Sequence, residues 1–351
     1  MSEPGGPDAA RVVPPIVPSS LAPDLALVVP PILPDDRWRR LDSALWLAPV
    51  AAYFVFPGHL VLGSQVIITA QFALSLDLIL GYAGIVSLGH AAFFGLGAYT
   101  AGLLAVHGWG EPLTGLACAA AVAALAGYAT SFLVIRGRDL AQLMITLGVG
   151  QLVLEAANKA AWLTGGVDGL SDVPMWRVAG VFRFDLAGKT AYWYSLAIAF
   201  ACFVLVKRIV HSPFGLSLRA IREGAPRMPA IGAPVGRRRV AVFTLAAALA
   251  GIAGGLLAQT TQFVGLDVLG FPRSAAVLIM LALGGTGRLY GAFLGAGLFM
   301  LMQDYLARQN PVYWEFWIGL LLVVVVLFAR GGVLGGIDVV RDRLIRRGRP
   351  R

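Results

Sequence analysis

Hydrophobic positions in this chain come in long blocks, without the strict alternation of a strand or the narrow stripe of a soluble helix. A helix that crosses a bilayer needs about 20 mostly apolar residues. Blocks of that kind lie at 42–57, 62–80, 85–106, 113–135, 140–163, 191–209, 240–260, 268–285, 290–306 and 312–329. They predict an all-α integral membrane protein of about ten transmembrane helices. The first block is short and bounded by proline, and the eighth opens on Asp267, Pro272 and Arg273. Ahead of them, residues 1–40 hold nine prolines, too many for a helix or a secretory signal, so an extended, disordered tail is expected there.

Composition supports the membrane reading. Of 351 residues, 58% are hydrophobic and 13% charged, with a mean hydropathy of +0.76. An average soluble domain carries about 25% charged residues. So little polar surface could not cover a soluble globule. The net charge of +9 would suggest nucleic acid in a soluble protein. Here it marks loops that stay cytoplasmic, and no nucleic acid is expected as a partner.

The same charges set the orientation. Ten spans place both termini on one side, together with 22 of the 28 Lys and Arg. Lys159, Arg177, Arg183, Lys189, Arg273 and Arg308 are left outside. Nine spans would send the basic end RDRLIRRGRPR outward, against the positive-inside tendency. The expectation is a cytoplasmic tail 1–40, a transmembrane domain 41–336 and a basic cytoplasmic tail 337–351. Two connections are long. The external loop 164–190 is neutral overall, and the cytoplasmic loop 207–239 holds eight Lys or Arg against Glu223 alone. Within the latter, FGLSLRAIREG has an amphipathic helical pattern, with Phe214, Leu218 and Ile221 on one face and Arg219 and Arg222 turned away. Such a helix suits docking by a cytoplasmic protein.

Catalytic chemistry is missing. His59, His90, His107 and His211 are scattered, and Cys118 and Cys202 fall inside apolar runs, so no metal cluster, disulfide framework or enzyme site is expected. AGKT at 187–190 resembles the end of a phosphate-binding loop, but Arg183 stands where that loop needs glycine. No cofactor is expected in this chain. Ionisable residues in the spans are few, Asp77 and the Glu155–Lys159 pair among them, which argues against an ion-driven relay.

Glycine is what remains. GYAGIVSLGHAAFFGLGAYTAG at 81–102 holds six glycines in 22 residues, and GGTGRLYGAFLGAG at 284–297 repeats the flavour. Both join a glycine-rich break to a helix of small residues, hinting at two related halves. Ala91/Gly95 and Ala98/Gly102 have the spacing that lets helices approach closely. Interrupted helices at membrane depth line water-filled paths, so Gly84, Ser87, His90, Tyr99 and Thr100 are candidates for a substrate pathway, with Gly284, Gly285 and Gly287 from the second block. His90 has a plainer reading as a hydrogen-bonded interior residue. Valine at the glycines of 84–87 or 284–287 is expected to abolish uptake with expression intact.

The motifs DLILGYAGIVSLGHAAFFGLGAYTAGLL, RGRDLAQLMITLGVGQLV, TGGVDGL, SPFGLSLRAIRE, ALAGIAGGLLA, LGGTGRLYGAFLGAGL and GLLLVVVVLFARGGVLGG follow in order over about 62–336. In this the chain resembles the permease subunits of branched-chain amino acid ABC transporters, the LivM-type membrane component. The resemblance implies a bacterial inner-membrane subunit that pairs with a sister permease, is driven by two cytoplasmic ATPases and receives substrate from a periplasmic binding protein. It implies that Ser212, Pro213, Gly215, Arg219, Arg222 and Glu223 belong to the segment that couples to the ATPase, and that Thr164, Gly165, Gly166, Asp168 and Gly169 face the binding protein. After Glu223 the sequence departs from the family with GAPRMPAIGAPV, where Pro226 and Pro229 must end or rebuild the coupling helix. Relatives with this signature resemble carriers of urea, short amides and aromatic acids too, and a self-sufficient channel or carrier is the alternative from another class.

Overall fold

The computed structural model describes residues 40–137, 140–171, 173–177 and 188–309, with positions 313, 316, 317, 319, 320 and 323 beyond them. The proline-rich tail to residue 39, most of the tenth predicted span, the basic end and part of the external loop lie outside the described residues. Among the described residues the architecture is helical, with one isolated bridge between Leu170 and Val264.

Helix α1 is Arg40–Val55 and α2 is Leu60–Asp77, which runs on into a π-helical turn, Leu78–Tyr82. An irregular stretch follows, then α3, Ala91–Val106. Helices α4, Pro112–Val134, and α5, Leu140–Lys159, come next. Lys189–His211 forms α6, and the amphipathic Pro213–Gly224 forms α7. Then come α8, Val235–Thr261, α9, Phe271–Gly284, and α10, Leu289–Gln309. Five segments are long and apolar enough to cross a membrane: Pro57–Tyr82, α4, α5, α6 and α8. Helices α9 and α10 together make a sixth candidate, bent by 113° at their junction.

Most predicted blocks match these helices to within a few residues. Two differ. Residues 85–90, expected to open the third span, are not helical, leaving α3 with 16 residues, about 24 Å at 1.5 Å per residue. The 14 residues of α9 reach about 21 Å, short of a hydrocarbon core about 30 Å thick. Both shortfalls lie beside glycine-rich breaks.

Helix α8 sits at the centre, packed on α2, α3 and α4. Its sequence explains this position. Ala246, Ala247, Ala250, Ala253 and Leu256 are fully buried, and small residues let helix backbones close to the distances where dispersion is strong. At the crossing with α3, a Cβ on Gly97 would strike the Gly251 carbonyl and one on Gly254 would strike the Phe94 carbonyl. Of the expected pairs, Ala98 does reach the crossing, where its amide lies 3.0 Å from the Gly254 Cβ position. Gly95 and Gly102 face other elements: Gly95 packs on the Leu269 side chain, and Gly102 on Val264 and Leu170. Helices α4 and α5 expose Leu125, Phe132, Leu140, Met144 and Leu152, an apolar surface of the kind a bilayer-embedded protein presents.

Candidate functional site

The two breaks meet. The first follows Asp77, where the π-helical turn widens the backbone ahead of Gly84 at φ +70°. The second is Gly285–Arg288, with Gly285 at φ +103° and Gly287 at φ +77°. The Gly287 amide donates to Oδ1 of Asp77 at 2.7 Å. Gly81 lies so close that a Cβ there would overlap both that carboxylate oxygen and the Gly287 amide. Asp77 is fully buried, and its Oδ2 has no hydrogen-bond partner among the described residues.

Helix α7 closes this junction. Ser212 caps it, with Oγ accepting from the Gly215 amide at 3.4 Å, and Pro213 occupies its first turn, where a missing N–H does no harm. A Cβ on Gly215 would strike the Val210 carbonyl, so α7 folds back directly from the end of α6. Leu218 and Ile221 are buried, as the amphipathic pattern required. Arg222 is exposed and Arg219 half-buried, off the apolar face as expected, but the tips of both side chains reach the first break. Arg222 Nη1 donates to the Gly81 carbonyl, and the Arg219 guanidinium lies 5.2 Å from the centre of the Tyr82 ring. Their long side chains reach back over the rim of the helix, which the position of Cα on a helical wheel does not reveal. Glu223, Pro226, Arg227, Pro229 and Arg237 remain exposed. The prolines end α7 at Gly224, and the chain is rebuilt as a short 3-10 turn, Met228–Ile231, before α8.

The other expected pathway residues are held among their neighbours in the bundle. His90 is buried, hydrogen-bonded through Nε2 to Ser75 Oγ at 2.9 Å and stacked 5.5 Å from Phe72. Thr100 donates to the Leu96 carbonyl of its own helix at 2.6 Å. Ser87 and Tyr99 are buried with hydroxyls that have no partner among the described residues, and Gly284 is pressed against the Gly291 carbonyl. Gly84 and Gly287 alone of that set come together, one on each side of Arg222. A cavity of about 580 Å³ lies elsewhere, between Trp46, Pro49, Gly63, Tyr192, Phe293 and Gly297. Sequence reasoning noted Asp77 as an acid in a span and missed its role. The available signal was an aspartate at the end of an apolar helix with no cation four residues away.

At the other end, the loop of Thr164, Gly165, Gly166, Asp168 and Gly169 is ordered by its own backbone. Gly165, Gly166 and Gly169 have φ of +75°, +58° and +70°. Leu170 and Val264 exchange backbone hydrogen bonds of 2.9 and 3.0 Å, and Asp168 is exposed. Thr164 Oγ1 reaches the Ala157 carbonyl at 2.6 Å and accepts from the Gly166 amide at 3.2 Å. Thr164→Val keeps the shape and strands that buried amide, so a loss of about 1–3 kcal/mol is expected, read from the thermal unfolding of purified protein.

The family model described as the branched-chain amino acid transport system permease component matches residues 60–326. The chain belongs to that family. The match takes in both breaks and α7, so this permease carries its least regular backbone inside the shared region. It is 28% identical over 316 residues to the high-affinity branched-chain amino acid transport system permease protein LivM of Salmonella typhimurium, covering 84% of this chain and 74% of that one. The Escherichia coli LivM protein matches to the same extent. The autoinducer 2 import system permease protein LsrC of Klebsiella pneumoniae is 30% identical over 223 residues, 60% of this chain and 61% of its own length. No solved structure matches the permease.

Proposed function

We propose that this permease forms, with a sister permease, the path of an ABC importer for branched-chain amino acids in a bacterial inner membrane. Two ATPases drive it, one of them docked at α7 of this chain, and a periplasmic binding protein delivers substrate at the loop of Thr164–Gly169. The observation that carries the reading is the seat of α7 across both glycine-rich breaks. An amphipathic helix between two long spans, with an exposed polar rim and arginine side chains reaching the points where helices are interrupted, is placed to convert a push from outside into movement of those breaks. Helix interruptions suit a path because free N–H groups at a broken helix start attract a carboxylate. The named functions of the LivM relatives support branched-chain substrates, and that of LsrC supports a wider range of small solutes.

The test is reconstitution. Permease pair, ATPases and binding protein in liposomes should take up leucine only with ATP, and the purified chain alone should show no uptake above empty vesicles. Full-speed transport by the chain alone would establish a self-sufficient channel or carrier. A panel of leucine, urea, short amides and aromatic acids, read by stimulation of ATP hydrolysis, assigns the substrate.

A further inference from the structure

Asp77, Arg222, Gly81 and Gly287 form a polar cluster in which Asp77 is buried and Arg222 is exposed. Three elements that are far apart in sequence converge there. The end of α2 supplies Asp77 and the Gly81 carbonyl, the second break supplies the Gly287 amide, and α7 supplies Arg222. Each bond joins two different elements. Asp77 ties the first break to the second, and Arg222 ties α7 to the first. The Asp77 Oδ2 is left without a hydrogen bond among the described residues. Glycine at 81 and 287 is what lets the two breaks approach, since Gly287 Cα lies 2.7 Å from where a Gly81 Cβ would be.

A buried carboxylate with one oxygen unsatisfied is unfavourable as a packing device. Apolar residues would pin two helix ends at lower cost. What hydrogen bonds from a charged side chain to the backbone add is direction and a discrete bonded state.

We propose that Asp77 and Arg222 are positioning residues that join α7 and both helix breaks into one mechanical unit. A displacement of α7 then moves the two breaks together. The inference rests on the ABC-importer reading. Neither residue contacts substrate. Without the pair, an ATPase would move α7 against breaks that no longer follow, and ATP would be hydrolysed without transport.

The experiment uses the assembled importer in liposomes and measures uptake per ATP hydrolysed. Arg222→Ala and Asp77→Asn should each lower that ratio about tenfold, within the range of coupling between sites. Arg222→Lys, which keeps the charge but not the planar fork, should fall between. A covalent tie supplies the rescue. The Gly84 Cβ position lies 3.6 Å from Arg222 Cβ, a separation a disulfide spans. Gly84→Cys with Arg222→Cys should therefore recover the ratio when oxidised and lose it when reduced.

An unchanged ratio in Arg222→Ala or in Asp77→Asn overturns the proposal. So does an oxidised double variant as uncoupled as the reduced one, which would assign Arg222 to ATPase docking. If Arg222→Ala prevents assembly, Asp77→Asn decides, because Asp77 lies away from the exposed rim. Absence of ATP-dependent uptake in the unaltered complex would instead defeat the importer reading itself.

Discussion

Gly254→Val leaves almost no folded permease in the membrane. Gly254 sits where α8 crosses α3, with the Phe94 carbonyl in the space a side chain would need and the Ala98 amide 3.0 Å from it. Both obstacles are backbone, so no rotamer change relieves the clash. The helices must separate along a seam that also includes Gly97 and Gly251, and dispersion is the main force holding helices together in lipid. Overpacking of this kind costs about 3 kcal/mol or more, a large part of the few kcal/mol that separate folded from unfolded chains. The measurement is the yield of monodisperse protein after detergent extraction. Gly148→Ala and Gly297→Ala are the controls: no atom lies within 4 Å of either Cβ position, and alanine favours helix over glycine, so yield should hold or rise.

Gly81→Val stops transport and lowers the folded yield as well, because the obstacles to its side chain include the backbone amide and Cα of Gly287, the latter 2.7 Å from the new Cβ. Its side chain would enter the contact of Asp77 with the Gly287 amide and force the two breaks apart. Uptake by the assembled importer, normalised to the folded protein extracted, should fall by about a hundredfold, near the upper end of coupling effects. Wild-type uptake would remove the junction from the transport cycle. The structure also separates the valine substitutions that the sequence treated as equivalent. Gly284 faces the Gly291 carbonyl, so valine there acts on folding as Gly254→Val does. Gly84 faces only the Arg222 side chain at 3.1 Å, and its cost is the left-handed backbone itself, about 1–2 kcal/mol.

The difference between those glycines marks the limit of reading this chain by pattern. A run of apolar residues has only one way to satisfy its backbone in lipid, so the sequence determined by itself the helical membrane architecture, most helix positions, the amphipathic α7 and the two breaks. Proline acts locally as well, and the end of α7 at Gly224 followed from Pro226 and Pro229. Pairing is not local. Whether Gly95 or Gly97 meets a helix depends on how α3 is rotated against α8, and both residues have the same periodicity. The bond from Asp77 to Gly287 spans 210 residues, and no spacing rule reaches that far. Polar groups in a span need partners, and Ser75 and the Leu96 carbonyl supply them for His90 and Thr100 within the bundle. Only the tertiary structure could decide that, because satisfying a buried polar group depends on which neighbours the fold brings within hydrogen-bond distance.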